Sequence, residues 1–355
     1  MSASDPTPMI RPDDPRRAFP PRARGSVRRV MHLDYDWTDA IDVVVHGAAR
    51  DETTLPDGSE RIDDETTMHV VTDGGLITEF TLDPVPSDPP LDVSAFVGHP
   101  LRQGFRALAR KHFTPDGSNV GLLLDDISGA MVAASYVTAL RMATEPLDAD
   151  EAAAMVAAAP PPPDTAPGDA GHFGQSDLCS GWRADGTMMV MIRAGEPMRF
   201  HPIPAVALLP DGAEGLGDVD GWPRRSIPSP GLRRHRRIDV VPGDDEWLVD
   251  AWFRDTYCAP DGALGSLHEY TVEATVDPVT HTFIDVRATP HALPWRECPA
   301  AAEAVGKLVG QPVEDLRATV QRTLLGIESC THLTNSLREL ADLPTMVARL
   351  APSAR

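Results

Sequence analysis

Several common ingredients are scarce in this chain of 355 residues, and each scarcity excludes something. Cysteine occurs only 4 times, at scattered positions, which is not the framework of a disulfide-stapled fold; reduced thiols in a cytoplasm are expected. Aromatic residues make up 5% of the chain, so its cores must rely on aliphatic packing. No apolar run approaches the ~20 residues that span a bilayer. The opening stretch MSASDPTPMIRPDDPRRAFPPRARG has no apolar signal core and reads as a disordered leader. There is no P-loop, no G-x-G-x-x-G after a strand, no H-E-x-x-H and no G-x-S-x-G, so nucleotide-dependent and triad chemistries have no support. Lysine appears only at Lys111 and Lys307 among 32 basic residues.

Acid is abundant instead. The formal net charge is −21, a field that repels nucleic acid. The one basic cluster, GLRRHRRID (231–239), reads as a strand leader with solvated arginines. The partner to expect is a small-molecule ligand, with neither nucleic acid nor membrane; the oligomeric state stays open. Length favours two domains plus linkers, and 35 prolines with 27 glycines imply long irregular stretches.

Internal similarity is the strongest pattern. AFVGHPLRQGFRALARKHF (95–113) parallels KLVGQPVEDLRATVQRTLL (307–325), each with V-G-x-P before an amphipathic run. TTMHVVTDGGLITEFTLDP (66–84) parallels YTVEATVDPVTHTFIDVRATP (270–290), and both read as β-hairpins. RRVMHLD (28–34) parallels RRIDVVP (236–242), and HGAARDETTLPDG parallels DAWFRDTYCAPDG. The expected fold is α+β: two duplicated units, each an antiparallel sheet with two helices packed on one face, joined by a Pro-rich linker. The boundaries are a leader at 1–24, a degenerate N-terminal repeat at 25–145, an Ala/Pro-rich linker and middle segment at 146–230, and a C-terminal repeat at 231–355. Within the middle segment, Met188–Ile192 reads as an apolar strand.

The repeats differ in their polar residues. Where the second has HEYT (268–271), the first has DETT (64–67). His268, Cys298, Cys330 and His332 all belong to the second copy alone. Helix PVEDLRATVQRTLLG is expected to stop at Gly326, and another helix to begin near Leu333. Cys330 and His332 then fall in the turn between them, where both side chains can converge on one point. A thiol at a helix N-terminus is acidified by the free N–H groups. Thiolate with imidazole suits Zn²⁺ or ferrous iron, and equally makes a nucleophile–base pair. Asp285, a carboxylate in mid-strand, is a further candidate for a pocket. The catalytic candidates are therefore Cys330, His332, His268 and Asp285, and the metal candidates Cys330, His332, His268 and Cys298. Cys179 and Cys258 read as packing residues.

RRID (236–239), LHEYTVEATVD (267–277), FIDVRATPHALPWREC (283–298), LVG (308–310) and above all GIESCTHL (326–333) resemble a bacterial family catalogued as domain of unknown function 2889. The likeness covers about residues 231–345. This chain departs from the family's usual His-Asp at His268–Glu269, and has Ser329 where a small or Gly residue is usual. The resemblance implies catabolism of small molecules, with aromatic or steroid-like substrates. The order strand–Asp285, Cys298, helix, Cys330 is also similar to iron–sulfur scaffold proteins of the IscU type, although the usual loop GCG is absent.

Three functions follow as expectations. The first is a small-molecule enzyme of lyase or hydrolase type with a Cys/His site, assisted by Zn or Fe. The second is a metal or iron–sulfur binding and delivery protein. The third is a non-catalytic pseudo-dimeric binding module.

Overall fold

Runs of β-branched and aromatic residues with few breakers make long strands. In the computed structural model, which describes residues 20–37, 42–87, 90–101, 104–129, 133, 176–194, 203–204 and 227–351, four of them form a meander: β1 (Ser26–Trp37), β2 (Val43–Thr54), β3 (Glu60–Asp73) and β4 (Leu76–Asp83). A short β5 (Ile203–Pro204) precedes a second meander of β6 (Gly231–Pro242), β7 (Trp247–Cys258), β8 (Leu264–Val276) and β9 (Phe283–Ala292). β1 pairs antiparallel with β6 along ten residues, from Val27 opposite Val240 to Asp36 opposite Gly231. One sheet results, ordered β4-β3-β2-β1-β6-β7-β8, with β5 and β9 both on β8. The protein is α+β, and its two meanders share a continuous antiparallel sheet.

The described α-helices longer than four residues are α1 (Phe105–His112), α2 (119–129), α3 (Thr187–Arg193), α4 (Leu316–Thr323), α5 (Thr331–Glu339) and α6 (Leu343–Ala348). α6 lies over β1 and β6 at the centre of the sheet. α2 meets α5 closely: a Cβ on Gly129 would stand 2.3 Å from the Asn335 amide nitrogen. α4 ends at Thr323, two residues short of the expected stop, because Leu325 turns extended before Gly326 at φ +56°.

The two meanders agree in detail. After β2, Leu55 and Ser59 close a turn in which Gly58 N–H donates to the Leu55 carbonyl; after β7, Ala259, Ala263 and Gly262 repeat the same bonds. In the first half Ile77 N–H donates to His99 and Gly98 N–H to Ile77; in the second, Phe283 N–H donates to Gln311 and Gly310 N–H to Phe283. Gly98 and Gly310 take φ of +82° and +78°, a region that disfavours any side chain. The V-G-x-P landmark is thus one tie between an edge strand and the segment after it, made twice.

Two expectations need correction here. Met188–Ile192 lies in helix α3 rather than a strand. Its N-terminus is capped from afar, since Glu297 Oε1 accepts from both Thr187 N and Thr187 Oγ1, and Met188 and Met189 are fully buried. The arginines of GLRRHRRID are not solvated either. β6 is a central strand, and Arg233, Arg234, Arg236 and Arg237 are all buried. Desolvating a charge is tolerable only with a partner, and each has one: Asp34, Asp255, Asp126 and Asp239 respectively. The leader through residue 19, the Ala/Pro-rich stretch at 146–175 and the crossing at 205–226 lie outside the described residues. No described helix is long and apolar enough to cross a membrane.

Candidate metal centre

Strand register builds the site. Arg234 on β6 stands opposite Asp255 on β7, which stands opposite His268 on β8. Side chains directly across an antiparallel pair share a face, so the three form a column. Arg234 grips Asp255 with two parallel bonds, Nε to Oδ1 at 2.7 Å and Nη2 to Oδ2 at 2.9 Å. The register shifts immediately after Asp255; such bulges re-aim neighbouring side chains and are frequent beside functional sites.

α5 supplies the fourth member. Cys330 is its N-cap residue, with extended backbone, and His332 lies in the first turn. Its ring stacks at 3.6 Å between centroids against His268, tilted by 48°. Asp255 Oδ2 is 3.4 Å from His268 Nδ1 and 4.0 Å from His332 Nδ1. One ligand atom from each of Asp255, His268 and His332 can be chosen so that all lie within 4.8 Å of one another. All three side chains are buried, and among the described residues neither ring nitrogen of His332 has a hydrogen-bond partner.

Electrostatics set the charge states. Burial depresses the His268 pKa, with Asp255 pulling partly the other way. Burial and then the neighbouring His268 hold His332 well below the ordinary histidine value. Burial alone would raise Asp255, but Arg234, the bond from His268 and His332 together hold its carboxyl below the usual carboxylate range. Two neutral imidazoles therefore face an ionised carboxylate. Neutral imidazole is the form that ligates metal and a poor proton donor. Two His and one carboxylate are also a donor set suited to Zn²⁺ or Fe²⁺.

A charge ladder backs the column. Asp126 of α2 accepts from Arg234 Nη1 at 3.1 Å and Arg236 Nη2 at 2.8 Å. Arg236 Nη1 reaches Glu339 of α5 at 2.6 Å. Burial pushes the Glu339 carboxyl up to about 8, even with Arg236 beside it.

The structure brings together His268 and His332 of the candidates and separates the rest. Asp285 sits half-exposed on β9, 3.2 Å from Arg287, opposite Thr275. That register leaves it seven residues along β8 from His268, roughly 20 Å away at the rise of a strand. Cys330 and His332 do not converge. The Cys330 thiol lies beside Tyr270, whereas the His332 ring turns to His268. Cys298 and Cys179 gather with Cys330 instead. Ser180 N–H donates to the Ser329 carbonyl at 2.8 Å, and a Cβ on Gly181 would meet Cys298 Sγ at 2.9 Å. Burial raises all three thiols, Cys179 to about 12, so desolvation overrides the acidifying helix terminus and none is a thiolate at neutral pH. Neither Cys330 nor Cys298 joins the group of donors close enough to share one ion.

Sequence reasoning passed over Asp255. A signal was present: DAWFRDTYC and HGAARDETT place an Arg-Asp pair at the same point of two parallel stretches of sequence, and a carboxylate kept there twice needs a partner if it is buried.

No curated protein and no solved structure matches the chain. Residues 232–346, which include Arg234, Asp255, His268 and His332, match the family described as Protein of unknown function (DUF2889).

Proposed function

We propose that the C-terminal half holds one divalent transition metal on Asp255, His268 and His332, and that the protein is a metal-dependent enzyme of small-molecule metabolism, of lyase or hydrolase type. The observation that carries the metal is His332: a buried imidazole with both nitrogens unpartnered, in contact with a second neutral imidazole and near an ionised carboxylate. Leaving the His332 nitrogens dry and unpaired costs stability, and a cation of charge two held also by His268 and Asp255 would satisfy them. Asp255 keeps further lone pairs for the metal while Arg234 orients it. A metal there would polarise a carbonyl or acidify a bound water, which serves both reaction types.

Elemental analysis after purification without chelator or affinity tag tests the reading. Zinc or iron near one per chain is expected, retained in Cys330→Ala and lost in His332→Ala and Asp255→Asn. A metal-free wild-type protein that also binds neither ion on titration rules the site out. Turnover in a screen of aromatic and steroid-like compounds should follow the metal content of these variants.

Burial of the donors favours a second reading, a structural metal without catalysis. Chelation would then lower the melting temperature of the protein and leave any activity unaffected while it stays folded. The matched turns, glycines and strand register also support descent of both halves from one ancestral unit.

A further inference from the structure

The column Arg234–Asp255–His268 has a counterpart. In the first half Arg29 on β1 faces Asp51 on β2, which faces Asp64 on β3. Arg29 grips Asp51 as Arg234 grips Asp255, Nε to Oδ1 at 2.6 Å and Nη2 to Oδ2 at 2.7 Å. The register of β2 and β3 shifts immediately after Asp51, as that of β7 and β8 does after Asp255. Even the outer support is repeated: Arg29 Nη1 donates to Asp342 beyond α5 at 2.9 Å, while Arg234 Nη1 donates to Asp126 of α2. Each half therefore lends the other a carboxylate.

The third member differs. Asp64 replaces His268, and no imidazole stands where His332 does. The guanidinium of Arg349, the residue after α6, lies there instead: its Nη2 is 2.9 Å from Asp51 Oδ2 and 3.2 Å from Asp64 Oδ2. We infer that Arg349 is a built-in cation filling a second, otherwise competent cation site formed by Asp51 and Asp64. The inference rests on reading Asp255, His268 and His332 as a metal site, because that reading identifies the position as one for a cation.

Two observations point to a ligand. The first is charge. Around Asp51 the carboxylates are Asp51, Asp64 and Asp342, and the guanidinium groups contacting them are Arg29, Arg317 and Arg349. Removing Arg349 leaves two carboxylates bridged by nothing and one negative charge uncompensated in a partly dry place. The second is Asn119. Its backbone N–H donates to the Asp64 carboxylate at 3.0 Å and its Nδ2 to the Asp64 backbone carbonyl at 3.1 Å, while its buried Oδ1 has no hydrogen-bond partner among the described residues. Asp51 and Asp64 supply oxygen donors only, and the unpartnered polar atom beside Asp64 is a further oxygen. Oxygen sets without nitrogen or sulfur suit hard cations such as Mg²⁺, Mn²⁺ and Ca²⁺. The two halves would differ in kind: a borderline-soft centre open to a metal ion, and a hard centre occupied by the chain itself.

Manganese is the probe, read by the loss of its free-ion paramagnetic resonance signal in the full-length His332→Ala background, which disables the C-terminal centre. Arg349→Ala is expected to gain one Mn²⁺ site per chain, at least tenfold tighter than the parent, and to lose it again when Asp64→Asn is added. Arg349→Lys keeps a charge in place and should bind no manganese. Should Arg349→Ala fold poorly, Arg349→Met fills similar volume without charge and replaces it. A folded Arg349→Ala or Arg349→Met protein that binds manganese no better than the parent overturns the inference. Absence of zinc or iron from the wild-type protein would instead defeat the proposed C-terminal metal, while the manganese titration still judges the N-terminal site separately.

Discussion

The two halves share a scaffold and an Arg-Asp pair, and differ in the two groups that complete each polar site. On the N-terminal side, Arg29, Asp51 and Asp64 are closed by Arg349, so every carboxylate has a guanidinium. On the C-terminal side, Arg234 and Asp255 are kept, but His268 and His332 bring neutral nitrogens in place of a fixed charge. The lesson is that a buried ion network can serve as structure or as a site, according to whether its last member is a permanent cation or a titratable ligand. Because Asp126 and Asp342 cross between halves, neither half can be altered without the other registering it.

The comparison breaks first at the shared acids. Asp51→Ala takes a carboxylate from two guanidinium groups, leaving Arg29 with Asp342 and Arg349 with Asp64, whereas Asp255→Ala takes one from Arg234 and leaves it with Asp126. Loss of one partner of a buried pair costs about 3–5 kcal/mol. Urea midpoints should fall by that order in both variants, and further in Asp51→Ala. Equal small losses would show that these columns are not what holds the halves together.

Next comes pH. Glu339 holds its proton up to about 8 when folded, against 4.5 for an ordinary glutamate. Its folded state binds the proton more tightly, so the associated stability is fully present below 4.5 and is lost as pH rises through 8. Between pH 5 and 8 this removes on the order of 3 kcal/mol. Glu339→Gln should flatten that part of the stability profile, and an unchanged slope would show that Arg236 keeps the carboxyl ionised. Asp255 contributes with the opposite sign: its depressed pKa gives stability present above the unfolded value of 3.8 and lost as pH falls further.

The shared ties are sharpened by Gly98→Ala and Gly310→Ala. Neither new methyl group would meet an atom within 4 Å, so each change reports backbone strain alone, about 1 kcal/mol. Matching losses in calorimetry are expected, and a twofold disparity would mean the ties are not equivalent. The smallest effect belongs to Asp285→Ala, under about 0.5 kcal/mol, since its pair with Arg287 is exposed. It should leave metal content unchanged, in contrast to Asp255→Asn.

Much of this was legible locally. Alternation in TTMHVVTDGGLITEFTLDP and its counterpart at 270–290 marks hairpins, V-G-x-P marks the tie after each hairpin, and the HEYT/DETT contrast isolates His268. His332 was visible as a residue missing from the first copy. Asp285 misled because an acid in mid-strand looks the same from sequence whether it faces a pocket or water; only β9's place at the side of β8 decides that. The basic run 231–239 misled for the converse reason, since no local property of β6 reveals that both its faces are covered. Cys330 and His332, two residues apart, were bound to point in different directions once α5 began at Thr331, two residues earlier than expected.

Sequence alone determined the two hairpins, the ties after them and the side chains on which the halves differ, because periodicity, turn residues and composition are local properties. Tertiary structure alone decided that the two meanders fuse through β1 and β6 into one sheet, that Asp255 rather than a cysteine completes the histidine pair, and that Arg349 reaches across to the other half. Those outcomes depend on strand register and helix docking between residues up to some three hundred positions apart, and no local pattern encodes which distant charge will meet which.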